Sequence, residues 1–156
     1  MCIRDRLNTN GSQFTNVGFL LGVGHQYDGR AAISDDLDND GRMDLIVVED
    51  KWSDGQILHV YRNTNPSKNN WIGVRLRESA DGPAPFGATI TVETASTKQV
   101  GVIVAGDSIH AQHSTRKHFG LGETDVVKSI TVRWPGGKVS TLDDPATGQF
   151  HDVIAE

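Results

Sequence analysis

The chain is predicted to be all-β, a partial β-propeller blade followed by a small antiparallel domain of sandwich or barrel-like build. Three observations predict this. Seventeen glycines among 156 residues mark many turns. Short segments alternate apolar and polar residues with period two, and none sustains a helical period. A faint internal repeat sets Leu7-Asn8-Thr9-Asn10 against Arg62-Asn63-Thr64-Asn65, offset by 55 residues. Repeats of that length made of short strands point to propeller blades.

The composition allows one core, or a small domain beside a fragment of another: 37% of residues are hydrophobic. The formal charge is −5 and no basic stripe occurs, which argues against a nucleic-acid partner. No apolar run reaches the length of a membrane span. The one cysteine, Cys2, has no internal disulfide partner. Met1-Cys2-Ile3-Arg4-Asp5-Arg6 resembles translated adapter sequence, so the natural N-terminus is expected to lie upstream and the missing signal peptide carries no information.

Taken in order, Leu7 to Arg30 is turn-rich, and the first strongly informative stretch follows it. Asp36-Leu37-Asp38-Asn39-Asp40-Gly41-Arg42-Met43-Asp44 places carboxylates at alternate positions around a glycine, then runs into Leu45-Ile46-Val47-Val48. Oxygen donors at this spacing suit a hard cation, and Ca²⁺, which takes six to eight oxygens in flexible geometry, fits best. The candidate ligands are the side chains of Asp36, Asp38, Asp40 and Asp44 and the carbonyl of Arg42. An EF-hand would need a glutamate at the twelfth position, where Val47 stands, so the loop is expected to feed a strand instead.

Strands are predicted at Asp44–Glu49 and Gln56–Arg62, joined through Ser53-Asp54-Gly55. The polar run 63–70 reads as a linker. Beyond it strands are predicted at Trp71–Leu76, Ala88–Glu93, Gln99–Ala105, Ser129–Trp134 and Lys138–Leu142. Val100, Val102 and Val104 share one face, and Trp71 and Trp134 are expected in the core. Trp52 is expected to be partly exposed. The domain boundary falls at 65/66, giving residues 1–65 and 66–156. The first part should be poorly stable alone, because a single blade buries its faces only against neighbours. The second has enough alternation for its own core.

Other constellations resolve into structural readings. His110, His113 and His118 suggest zinc, but an odd separation on a strand would turn His113 away, and no acidic or cysteine ligand is suitably spaced. Ser108 lacks the second glycine of a nucleophile elbow, and Ser114 with His118 shows no oxyanion hole. Gly120-Leu121-Gly122 lacks the third glycine of a dinucleotide loop, and Phe119-Gly120-Leu121-Gly122 reads as a turn beside a hydrogen-bonded, structural His118. Asp143-Asp144 reads as a solvated loop. No enzymatic activity is expected.

Asp36–Val48 resembles the calcium loop and strand of FG-GAP/VCBS-type repeats. The second half resembles the ASPIC/UnbV domain of cartilage-acidic-protein-like and many bacterial secreted proteins. The matching pieces are Asn70–Leu76, Phe86–Val92, the long run from Gly106 to Gly122, and Val132-Arg133-Trp134-Pro135-Gly136-Gly137. The chain departs from the family pattern at Ile109-His110 and Lys117. The resemblance implies a calcium-stabilised, secreted or envelope-associated protein that works by binding an extracellular protein or glycan. The other reading is a non-catalytic, carbohydrate-binding accessory region of a secreted polysaccharide-acting enzyme.

Overall fold

The computed structural model describes residues 6–9, 11–24, 27–66, 68–78 and 82–155; Met1–Asp5, read above as adapter-like sequence, lie outside them. The fold is all-β. Apart from one 3₁₀ turn at Trp52–Asp54, the regular structure among the described residues is strand. No helix there is long and apolar enough to cross a membrane.

The strands are β1 (Arg6–Thr9), β2 (Gln13–Asn16), β3 (Asp28–Asp35), β4 (Asp44–Asp50), β5 (Gln56–Tyr61), β6 (Asn70–Arg77), β7 (Thr89–Glu93), β8 (Lys98–Val102), β9 (Arg116–Gly122), β10 (Ser129–Arg133), β11 (Val139–Asp143) and β12 (Phe150–Ile154). They form a β1-β2 hairpin, a β3-β4-β5 meander, a four-stranded β11-β10-β7-β8 sheet and a three-stranded β12-β6-β9 sheet. None of these sheets closes into a barrel. All pairings are antiparallel except β12 with β6, which run parallel.

The core lies between the last two sheets. Period-two alternation turns Ile72, Val74 and Leu76 of β6 inward against Ile90 and Val92 of β7 and Ile130 and Val132 of β10. Register pairs Ile90 with Val132 and Val92 with Ile130, so the largest aliphatic groups face one another across neighbouring strands. Trp134 caps this core and satisfies its indole N–H on Ser140 Oγ at 2.9 Å. Ile90 is fully buried. Ile90→Ala is expected to cost about 2–5 kcal/mol, read as a lower midpoint in denaturant unfolding at unchanged slope. A change below about 0.5 kcal/mol would place Ile90 outside the core.

The structure bears on three expectations. Val100, Val102 and Val104 do share a face, but it is the outer one, and all three are exposed. The inner face of β8 carries Gly101, where an added Cβ would sit 3.0 Å from Phe119 Cζ; the phenylalanine from β9 fills the space a valine would have taken. Phe119-Gly120-Leu121-Gly122 is the end of strand β9, with Phe119 and Leu121 in the core. Trp71 is only half-buried and lies outside the core, against the acidic loop.

The first part of the chain is also docked on the second. β3 is an edge strand, and the segment after β8 runs along it. Ser108 Oγ donates to the Ala32 carbonyl at 3.3 Å, and the Ser34 N–H donates to His113 Nε2 at 3.3 Å. Edge groups that would otherwise invite another chain are covered in this way.

Candidate metal site

The acidic loop joins β3 to β4. Asp36 is fully buried, and its carboxylate organises the turn from within, with Oδ1 accepting from the Asp40 N–H at 3.0 Å and Oδ2 from the Gly41 N–H at 2.9 Å. Such side-chain-to-backbone bonds are why aspartate rather than an apolar residue starts a loop of this kind. Gly41 takes φ +86°, a conformation natural to glycine.

One carboxylate oxygen from each of Asp36, Asp38 and Asp40 converges within 4.8 Å of the others. Three carboxylates this close repel one another, and a cation relieves that repulsion. The set could hold a metal ion. Asp44 stands at the base of the loop, buried, with Oδ2 accepting from the Leu37 N–H at 3.1 Å and Oδ1 from the Asn63 N–H at 2.8 Å. It ties the start of the loop to the end of β5. Arg42 pairs its guanidinium with Asp40 and donates through Nε to the Asn63 carbonyl at 2.9 Å. Arg62 Nη2 lies 2.7 Å from Asp38 Oδ2 and 3.5 Å from Asp40 Oδ2. Desolvation works against ionisation of Asp40. The Arg42 N–H and guanidinium, with Asp38 and Arg62, outweigh it and hold the carboxyl below its ordinary range.

The sequence reading missed the outer wall of the site, which comes from β6 and β9. Arg116 spreads its guanidinium over the loop. Nε donates to Asp35 Oδ1 at 2.8 Å, Nη2 to the Asp36 carbonyl at 2.7 Å and Nη1 to Asn39 Oδ1 at 3.2 Å. Ser114 Oγ adds a bond to Asp35 Oδ2 at 2.9 Å. His118 Nε2 donates to the Gly41 carbonyl at 2.9 Å, which fixes its tautomer, and its ring stacks on Trp71 with centroids 5.1 Å apart. Trp71 in turn covers Gly41. The one sequence signal for this wall was the resemblance of the run 106–122, which contains Arg116 and His118. Asn63 carries a sequence signal in the Asn-Thr-Asn repeat, but nothing in the polar run 63–70 shows that it closes the loop.

The three histidines do not converge. His110 sits in a turn with φ +57°, His118 is on the loop, and His113 turns its Nδ1 toward Asp107 Oδ2 at 3.0 Å without the alignment of a hydrogen bond. The His113 backbone N–H, rather than the ring, is the main reason the Asp107 carboxyl titrates below its ordinary value. Ser114 and His118 bond to different parts of the acidic loop rather than to each other. Asp143 and Asp144 are exposed.

Fold and site together define an all-β protein in which an oxygen-rich acidic loop is clamped to the face of a two-sheet unit. Residues 79–156, half of the chain, match the family model described as ASPIC and UnbV, and the chain belongs to that family. No curated protein matches it.

Proposed function

We propose that this chain is a calcium-binding, non-catalytic interaction module of an extracellular or envelope-associated protein. The observation that carries the reading is that one carboxylate oxygen from each of Asp36, Asp38 and Asp40 lies within 4.8 Å of the others. In this reading Asp44 and the Arg42 carbonyl complete the ligand set, and the loop with β3-β4-β5 is a blade of the FG-GAP/VCBS type. An all-oxygen donor set with no sulfur or imidazole favours a hard ion over zinc or copper. Ca²⁺ is favoured over Mg²⁺ because Ca²⁺ accepts six to eight oxygens in irregular geometry, whereas Mg²⁺ demands near-ideal octahedral geometry and parts reluctantly with water. The ion acts as a structural brace and the work of the protein is recognition. The exposed Trp52 favours a second reading, an accessory region of a secreted polysaccharide-acting enzyme.

Titration calorimetry of the whole chain tests the cation. One Ca²⁺ site is expected, with Mg²⁺ a weak competitor. Asp38→Ala removes a charged donor without replacing it and should weaken Ca²⁺ binding about tenfold, since affinity follows ligand charge count. Equal affinity in the two proteins would sink the assignment.

A further inference from the structure

Trp52 is the feature that neither the core nor the acidic loop uses. It sits in the 3₁₀ turn between β4 and β5 with φ +56°, a region that a bulky L residue enters only under strain. The turn enforces it. The Trp52 N–H donates to Asp50 Oδ1 at 3.1 Å, the Asp54 N–H to the Lys51 carbonyl at 3.2 Å, and the Lys51 N–H to the Gly55 carbonyl at 2.8 Å. The outcome is an indole that is 87% exposed. Backbone strain spent to hold the largest side chain out in solvent gains nothing in packing.

The indole borders a cleft of about 410 Å³ lined also by Asp28, Arg30, Asp50 and Ser53. Arg30 is held between the two carboxylates, with Nη2 2.8 Å and Nε 3.3 Å from Asp50 Oδ2 and Nη2 3.5 Å from Asp28 Oδ2. The cleft therefore offers a flat aromatic face beside planar groups that can accept and donate several hydrogen bonds at once. A pyranose ring has the matching chemistry: an apolar C–H face and a rim of hydroxyls that both donate and accept. The charge balance narrows the class. The Arg30 guanidinium is already paired with Asp50 and Asp28, and the adjacent Lys51 is engaged 3.4 Å from Asp54 and over the Tyr27 ring. A sulfated or uronic sugar would have to displace a carboxylate from a guanidinium that is already paired.

We propose that the Trp52 cleft binds a neutral saccharide, which stacks on the indole while Asp50, Asp28 and Arg30 bond its hydroxyls. This names a ligand class for the recognition role proposed above. It uses none of the proposed ion ligands.

The test is titration of the whole chain with cellohexaose, xylohexaose and mannohexaose, and with a heparin hexasaccharide as the anionic arm, in calcium and again in chelator. At least one neutral hexasaccharide should bind, and Trp52→Ala should weaken it by at least about tenfold, as for a central aromatic anchor. Trp52→Phe should recover part of the loss. Thermal midpoints of both variants should match the parent, because the indole is so exposed. Four outcomes would overturn the proposal: no neutral sugar bound, equal binding by Trp52→Ala, binding of the heparin arm alone, or a concentration-dependent dimer that Trp52→Ala abolishes. If sugar binding depends on Trp52 while calcium binding is absent or indifferent to Asp38→Ala, the cation reading fails and this one stands.

Discussion

Gly41→Ala is expected to destabilise the protein by about 2–5 kcal/mol, the sum of a left-handed backbone penalty and an overpacking cost. A Cβ at Gly41 would lie 2.0 Å from Trp71 Nε1 and 2.5 Å from Cδ1 and Cε2. Neither side can give way cheaply. The backbone holds φ +86°, and Trp71 is backed by the His118 ring and by Phe150, edge-on at 5.2 Å. Phe150 is itself pinned: its ring passes over Gly73, where a Cβ would lie 2.1 Å from Cδ1, and Arg116 lies over its face at 5.0 Å. The indole must therefore leave the loop. Near-ultraviolet circular dichroism and tryptophan emission should report the release, and chemical denaturation the energy. A variant that keeps the parent's midpoint and emission would show that Trp71 does not rest on Gly41.

If the acidic loop holds Ca²⁺ as proposed, Arg116→Ala is expected to weaken that binding ten- to a hundredfold, or about 1.4–2.8 kcal/mol. The sign is the informative part. Arg116 is a cation beside the candidate metal site, so Coulomb repulsion alone says that its removal should strengthen binding. The geometry says the reverse. Its three bonds, to Asp35, the Asp36 carbonyl and Asn39, hold the start of the loop in the conformation that brings the carboxylates together. Without them the ion must order the loop itself and meet that entropy from its own binding energy. Arg116→Lys keeps the charge and loses the fork, so it should weaken binding nearly as much. Calorimetry of the three proteins decides between the two accounts. Tighter binding in Arg116→Ala would leave electrostatics as the whole effect.

The site divides into a legible and an illegible part along a physical line. Asp36, Asp38 and Asp40 were readable because a loop that gathers oxygens does so locally, at alternate positions, and glycine marks the bend. Arg116 and His118 lie 77 to 81 residues from the groups they hold. Tertiary folding alone brings them together, and no spacing rule covers that distance. The strands β6, β7 and β10 announced themselves by alternation. β9 was obscured because its sequence, RKHFGLG, spends two positions on glycine and one on a loop-binding histidine. β3 was obscured by alanines and an arginine where a sheet buried on one face would show larger apolar groups. β8 misled because its apolar stripe faces water, while Gly101 hides the inward face from any hydropathy pattern. The polar run 63–70 is the basis for expecting a boundary at 65/66. The contacts between the residues before and after it were not readable, since they are made of serine, histidine and arginine side chains and backbone atoms.

The parallel pairing of β12 with β6 has a consequence for how the protein is made. Gly73 lies opposite Phe150, so the centre of one sheet waits on residues 77 positions further along the chain. Such long closures are entropically slow, and until they occur the flanking strands expose unpaired backbone. During synthesis the β7-β8 and β10-β11 hairpins can form as soon as they leave the ribosome, because their partners are adjacent. β6 can pair early with β9 on one side only. Its other edge stays open, and with it the Phe150 support beneath Trp71, until the chain has been made as far as Ile154. A nascent chain stalled before Phe150 would carry eleven of the twelve strands named above and an unfinished sheet. That intermediate is the form most exposed to aggregation and the one a chaperone would have to shield.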